Sequence, residues 1–368
     1  MLNLGVVGCG NISGIYFTNL TNMFKDRVNV YACADLVESK VKAAAERYNI
    51  PHIMTLEEML ECDEIDVILN ITEPVNHYWI NKACILAGKN VYCEKPLSIE
   101  FALGKELVEL AEEKGVYLGG APDTFMGPAI QSARKYIEEG MIGEPINAVA
   151  FMVGSGPDSW HPNPGFFFEK GAGPLLDMGP YYMTTLVNIF GAAESVCAFG
   201  SGIGKERTFT CKAQYGTKHI NEVETHISGT IRFKCGALAT FIMSFDTKEH
   251  SYLPEIEIYG TTGTITVPDP NGFNGDIPCY TKEDGEWIRR CLPSFGNYGG
   301  NSRSVGLVQM INAIETGKPF AANCYQTLHV LEIMDAILRS CRENRVVDIT
   351  TDYKKSALLD INLPVGEF

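Results

Sequence analysis

The sequence lacks any stretch long enough to cross a membrane as a helix. Its richest apolar run, Gly236 to Phe245, is ten residues long and includes Thr240 and Ser244, against the roughly 20 residues a spanning helix needs. Positive charge is also scarce. Thirty Lys and Arg face 45 Asp and Glu, a formal net charge of −15, which argues against nucleic acid or an anionic membrane as partner. No C-x-x-C pair occurs among the 12 cysteines, which are scattered from Cys9 to Cys341. Cys33, Cys93 and Cys197 fall in apolar, strand-like runs, so the cysteines read as buried free thiols in a reducing compartment. There is no His/Cys/Asp/Glu cluster with metal-ligand spacing and no G-x-S-x-G nucleophile motif. His52, His219, His250 and His329 have no partner pattern, and internal repeats are absent. The second residue already begins a strand, which leaves no room for a secretory signal, and a cytoplasmic protein is expected.

What remains is a chain of 368 residues, 45% of them hydrophobic, enough for two domains with ample cores. The runs Leu2 to Val7, Val28 to Ala34, Asp66 to Ile71, Asn90 to Cys93 and Val116 to Gly119 read as strands. Helical patterns lie between them, near 12–24, 38–48, 56–62, 75–87 and 99–114. Apolar strands separated by helices imply a parallel sheet covered on both faces, so residues 1–122 are expected to form a doubly wound α/β (Rossmann) domain.

Beyond Pro122 the pattern changes. A helix over Pro128 to Glu139 precedes a strand at 145–153, and Glu222 to Phe233 alternates strictly between an apolar and a polar face. Ala237 to Phe245 is apolar on both faces, as in a central strand or one covered by another subunit. Residues 304–316 and 325–343 return to a helical period. Residues 123–368 are therefore expected to be an α+β domain with a large open, mainly antiparallel sheet. Such a sheet must cover an apolar face, which predicts a homo-oligomer built on it.

The first strand runs directly into Gly8-Cys9-Gly10-Asn11-Ile12-Ser13 and a helix. Gly8 permits a tight turn, Gly10 lets the backbone approach a pyrophosphate, and the loop's N–H groups at Asn11 and Ile12 can bind it. Ser13 replaces the usual third glycine. Asp35 closes the second strand about 25 residues downstream, where a carboxylate accepts bonds from ribose hydroxyls. That favours NAD over NADP, with Lys40 and Lys42 the nearby cations that keep NADP as the lesser alternative.

Residues 66–98, DVILNITEPVNHYWINKACILAGKNVYCEKPLS, carry Asn70-x-Thr72-x-Pro74 and Glu94-Lys95-Pro96, and GAGPLLDMGPYY follows at 171–182. Together with the glycine loop, these four motifs resemble, across essentially the whole chain, the Gfo/Idh/MocA oxidoreductases (glucose-fructose oxidoreductase, inositol dehydrogenase and relatives). The resemblance implies that Lys95 lies beside the nicotinamide and the substrate hydroxyl, and that Thr72, Pro74, His77 and Glu94 line the cofactor. It also implies that a helix carries Asp177 and Tyr181 as orienting and acid–base residues, Tyr181 standing where relatives have histidine or tyrosine. The chemistry independently wants such a lysine, since a cation stabilises the alkoxide that develops as hydride leaves.

Pro180 points to a helix beginning just before it, because proline suits only a first turn. Asp177 then reads as either an orienting residue or an N-cap, and its spacing of four from Tyr181 puts both on one face. Trp160-His161-Pro162-Asn163-Pro164 reads as a loop over the substrate, with Trp160 stacking on a sugar and His161 an alternative proton acceptor. Three functions stay open. The first is an NAD-dependent dehydrogenase acting on a CH–OH group of a sugar, polyol or glycoside. The second is a redox-neutral sugar enzyme with recycling NAD, cleaving a glycoside or exchanging hydrogen between substrates. The third is a non-catalytic nucleotide sensor.

Overall fold

A computed structural model describes residues 1–248, 251–290, 298–360 and 363–368; His250 and Cys291 lie outside these. The elements run β1 (Leu2–Val7), α1 (Ser13–Thr18), β2 (Val28–Ala34), α2 (Glu38–Tyr48), β3 (His52–Ile53), α3 (Leu56–Glu61), β4 (Val67–Asn70), α4 (Pro74–Leu86), β5 (Asn90–Cys93), α5 (Phe101–Lys114) and β6 (Leu118–Gly120). After these come α6 (Pro128–Glu138), β7 (Pro145–Val153), α7 (Gly173–Phe190), β8 (Ala193–Ser201), β9 (Glu206–Thr208), β10 (Lys218–Ile220), β11 (His226–Phe233), β12 (Leu238–Ser244), β13 (Ile256–Gly260), β14 (Gly263–Val267), β15 (Ile277–Thr281), β16 (Trp287–Arg290), α8 (Val305–Thr316), α9 (Cys324–Glu343) and β17 (Val347–Asp348).

The chain divides into two compact units. One comprises Met1–Pro128, Pro293–Leu328 and Ser356–Phe368, the other Ala129–Leu292 and His329–Lys355. A single cut after 122 is the sequence's reading, whereas the chain returns twice to its first unit: α8 and the C-terminal segment belong with the nucleotide-type sheet. Helical period alone does not say which sheet a helix covers.

In the first unit six strands lie in the order β3-β2-β1-β4-β5-β6, all parallel. β4 is buried at every position, as a strand covered on both faces must be. The crossover helices are punctuated locally. A reciprocal capping box between Thr55 and Glu58 starts α3, and Gly115 in the left-handed region ends α5. β3 went unread in the sequence because it is two exposed residues at the sheet edge.

The second unit holds a nine-stranded sheet in the order β16-β15-β14-β13-β7-β12-β11-β8-β17, and a separate β9–β10 pair. β7 and β12 pair in parallel; the other described pairings are antiparallel. One face packs on α7 and α9: Gly179 of α7 lies against Met334 of α9, and Ser340 of α9 accepts from Ala198 N of β8 at 2.9 Å. The opposite face carries Phe199, Ser228, Ile242 and Phe151 in register across four strands. Cys197 belongs to this outward face and is exposed, which corrects its reading as a buried thiol, while Cys33 and Cys93 are buried. Among the described residues no helix is long and apolar enough to cross a membrane.

Candidate active site

At the carboxyl end of β1 the chain turns at Gly8, whose φ of +108° no larger residue adopts easily. Its N–H reaches Ala34 O at 2.9 Å, and a Cβ there would stand 2.8 Å from Ile71 O. Gly10, by contrast, is exposed with open space where a Cβ would be. Ser13, in place of a third glycine, closes the turn by donating from N and Oγ to Gly10 O at 3.1 and 2.7 Å. Asp35 Oδ2 accepts from Cys9 N at 2.7 Å and Oδ1 from Val37 N at 2.8 Å. Each carboxylate oxygen retains a second lone pair, and Leu36 beside it is fully exposed. A glycine turn open at Gly10, next to an acceptor-only carboxylate, fits a dinucleotide carrying ribose hydroxyls rather than a ribose phosphate.

Two further strand ends complete this edge. Buried Asn70 at the end of β4 accepts from Thr72 Oγ1 at 2.7 Å and donates to Asn81 Oδ1 at 2.8 Å, so the turn into α4 is fixed before Pro74 opens the helix. At the end of β5 Glu94 N donates to Asn70 O at 2.8 Å. Its Oε1 accepts from Tyr16 OH at 2.7 Å, and its Oε2 from Lys95 N at 2.8 Å. Lys95 is part-exposed, and the Lys95-Pro96 peptide is cis. Burial, with Glu94 next in effect, holds the Tyr16 phenol well above its usual value. Asp123, fully buried, accepts from Ser304 N at 2.9 Å and Gly306 N at 3.1 Å at the start of α8. Burial pushes its carboxyl up to about 6, against the downward pull of those bonds and of Arg303.

In the second unit α7 begins at Gly173 with Pro174 in its first turn, and Pro180 lies inside it. This corrects the expected start: the first-turn proline is Pro174, and Pro180 merely leaves one carbonyl without its i+4 donor. Asp177 is consequently not an N-cap; it sits a turn into the helix, part-buried, on the same face as buried Tyr181. Tyr182 is core, its hydroxyl donating to Glu255.

The loop before α7 is held by a buried ion pair. Arg207 donates to Asp158 Oδ2 at 2.7 Å and to Phe245 O at 3.3 Å, pairs with Asp246, and lies 4.3 Å over the Phe168 ring. On this base Trp160 is two-thirds exposed, edge-on to His161 and Phe167. The His161 Nδ1 lies 2.8 Å from Asn163 O. Among the described residues no three His, Cys, Asp or Glu side chains gather as a metal site.

Two known domains match parts of the chain. Residues 2–120 match the oxidoreductase family with NAD-binding Rossmann fold, and 130–266 the GFO/IDH/MocA C-terminal domain. The chain belongs to the Gfo/Idh/MocA oxidoreductase family. Myo-inositol 2-dehydrogenase of Thermotoga maritima is 26% identical over 95% of this chain and 98% of its own. A 1,5-anhydro-D-fructose reductase of Ensifer adhaerens is 30% identical over 58% of this chain and 60% of its own. Among solved structures, levoglucosan dehydrogenase in complex with NADH superposes with a TM-score of 0.80 at 22% identity, covering 95% of this chain and 99% of that one.

As a Gfo/Idh/MocA member the chain is an NAD-binding oxidoreductase, and its first unit gathers Gly8, Gly10, Asp35, Thr72, Glu94 and Lys95 at the carboxyl ends of β1, β2, β4 and β5. His77 is different. It is fully buried with both ring nitrogens facing backbone carbonyls, so it offers no nitrogen to a cofactor. Sequence reasoning missed Tyr16 and Asp123, which meet Glu94 and the start of α8 across 78 and 181 residues of chain; no local pattern signals such pairings.

Proposed function

We propose that the chain transfers hydride between NAD and a hydroxyl-bearing carbon of a cyclic polyol or small sugar. With its pyrophosphate held at the glycine turn, NAD would supply the hydride acceptor through its nicotinamide ring. Lys95, just past β5 at the same carboxyl edge of the sheet, lowers the cost of the alkoxide left when the carbinol proton departs. Tyr181, as its phenolate, takes that proton and becomes the neutral phenol, with the neutral His161 imidazole the alternative acceptor. Asp177 orients neighbouring hydroxyls from the same helical face, and Trp160 offers a flat apolar surface to a sugar ring. The observation that carries this reading is the convergence of Gly10, Asp35 and Lys95 on one edge of a parallel sheet, where ligands of such sheets bind. Relatives named for inositol, anhydrofructose and levoglucosan support the substrate class.

We further assign residues 1–122 to cofactor binding and the later α+β region to substrate binding and self-association in the cytoplasm. The outward sheet face with Phe199, Ile242 and Phe151 is the surface through which two or four copies join. Static light scattering at micromolar concentration checks this; a monomer refutes it.

The decisive experiment adds NAD or NADP to the purified chain with a panel of myo-inositol, 1,5-anhydroglucitol, levoglucosan, glucose and methyl glucosides, read by nicotinamide absorbance. Turnover with at least one, and preference for NAD, is expected. Cleavage of a methyl glucoside with no net NADH would replace the dehydrogenase by a redox-neutral enzyme, and failure to bind NADH would sink both. Tyr181→Phe and His161→Ala decide the base: near-full turnover in the first with none in the second moves the role to His161.

A further inference from the structure

His77 stands in the first turns of α4 with no exposed surface. Its Nδ1 lies 2.7 Å from Pro96 O and its Nε2 3.0 Å from Thr72 O. The two carbonyls belong to the segments that leave neighbouring strands β4 and β5, so the ring sits between the two strand ends. Around it the remaining joints are already closed. Thr72 is fixed to Asn70 through N and Oγ1, and Lys95 N is fixed to Glu94. On its amino side Lys95 is thus held by Glu94; on its carboxyl side only Pro96, which has no N–H of its own, separates it from the imidazole.

A neutral imidazole has one N–H, so only one of two facing carbonyls receives a true bond. Burial pulls the His77 pKa down; the two carbonyls and Glu94 oppose that, and Lys95 adds to it. Burial, the largest effect, favours the neutral ring, and the shorter contact assigns the N–H to Nδ1.

We propose that His77 is a positioning residue for Lys95: its Nδ1–H donates to Pro96 O and holds the Glu94-Lys95-Pro96 segment against the turn that carries Thr72. This rests on Lys95 acting at the reacting carbon. A displacement of about 1 Å at such a group costs on the order of 10² in rate, so the brace acts on turnover far more than on cofactor affinity, which depends on the glycine turn and Asp35.

The amide nitrogen of asparagine overlays the histidine Nδ1 and that of glutamine the Nε2, which lets each arm be kept separately. His77→Asn, His77→Gln and His77→Leu are compared for NADH affinity by fluorescence titration, and for kcat and KM with the fastest substrate from the panel. His77→Asn is expected to keep kcat within about threefold, whereas His77→Gln and His77→Leu lose about tenfold or more with KM and NADH affinity nearly unchanged. Equal damage in the asparagine and glutamine variants, or NADH affinity falling as far as kcat, overturns the proposal. If His77→Leu does not fold, the asparagine and glutamine pair still decides. A ring-nitrogen NMR spectrum of the unaltered protein supplies a readout free of turnover, with a proton on Nδ1 expected and one on Nε2 overturning the bridge. Lys95→Met, run alongside, separates the failures. Full turnover there removes the reading beneath the proposal, while an inactive Lys95→Met with a fully active His77→Leu removes the proposal alone.

Discussion

The two sheets treat their faces in opposite ways. The six parallel strands of the first unit are covered on both sides, so their side chains are committed to packing and the unit's chemistry is confined to strand ends. The nine-stranded sheet of the second unit packs one face on α7 and α9 and leaves the other outward. Its polar machinery is built instead into a helix face and a loop anchored by a buried ion pair. In the first unit, then, a functional side chain can be lost without disturbing the core; in the second, an anchor cannot.

Lys95→Met is the sharpest way to test the first half of that contrast. Turnover is expected to fall by about 10² to 10⁴, with NADH affinity within several-fold and the unfolding midpoint unchanged, since Lys95 is part-exposed at a strand end. Kinetics, NADH titration and urea unfolding on the same preparation check all three; near-normal turnover defeats the mechanism.

Arg207→Met tests the second half. The substitution removes the nearer cation of Asp158, 6% exposed, and leaves it only the exposed Lys248 at 3.7 Å; breaking a buried pair outright typically costs about 3 to 5 kcal/mol, and a loss towards the lower figure applies here. The expected result is a loss of that size in urea unfolding, with activity lost through the Trp160–His161 loop. A stability change below about 1 kcal/mol would mean that the Asp158 and Asp246 pairs add nothing to the loop's anchoring.

The same contrast explains what was legible. Continuous apolar runs betrayed the parallel sheet, and strict alternation through Ile227, Ile231 and Phe233 betrayed a strand with one wet face, because covered and half-covered strands impose different periods. Gly8, Asp35 and Lys95 were legible as candidates because each lies just past a strand end, and Gly8 and Lys95 also belong to short motifs. Tyr16, Asp123 and Arg207 were not: each acts through a partner distant in sequence, and a lone tyrosine, aspartate or arginine carries no period. Pro180 misled for a related reason, since its lost hydrogen bond is tolerated in a helix buried along most of its length, and proline rules describe helices without that support.

Asp123→Asn probes whether the first unit also hides an ionisable strain. The folded carboxyl titrates at about 6 against an ordinary 3.8, so between those values the folded chain binds more protons than the unfolded one. The contribution of this group to stability is therefore largest below about pH 4 and falls as pH rises towards 6. The variant should flatten that slope and gain on the unaltered chain above pH 6, by about 1 to 3 kcal/mol. Urea unfolding at several pH values measures it; an unchanged slope assigns the titration elsewhere.

The smallest effect comes from comparing two buried tyrosines, one in each unit. Tyr92 in β5 has no exposed surface, and its hydroxyl has no hydrogen-bond partner among the described residues. Its ring packs on Gly119, where a Cβ would come within 3.1 Å of the Tyr92 Cδ2. Tyr182 in α7 is as deeply buried, but its hydroxyl donates to Glu255, whose carboxyl burial already pushes upward. Phenylalanine preserves both rings and removes only the oxygens. Deleting an unpaired buried hydroxyl relieves a desolvation cost, whereas deleting a paired one strands its acceptor. Tyr92→Phe should thus be neutral or stabilising by up to about 1 kcal/mol, and Tyr182→Phe destabilising by about 1 to 2 kcal/mol. Opposite signs in parallel urea titrations would confirm that the covered parallel sheet tolerates an idle polar atom where the second unit puts its own to use. A loss above about 1 kcal/mol in Tyr92→Phe would instead mean that a buried water pairs with the hydroxyl.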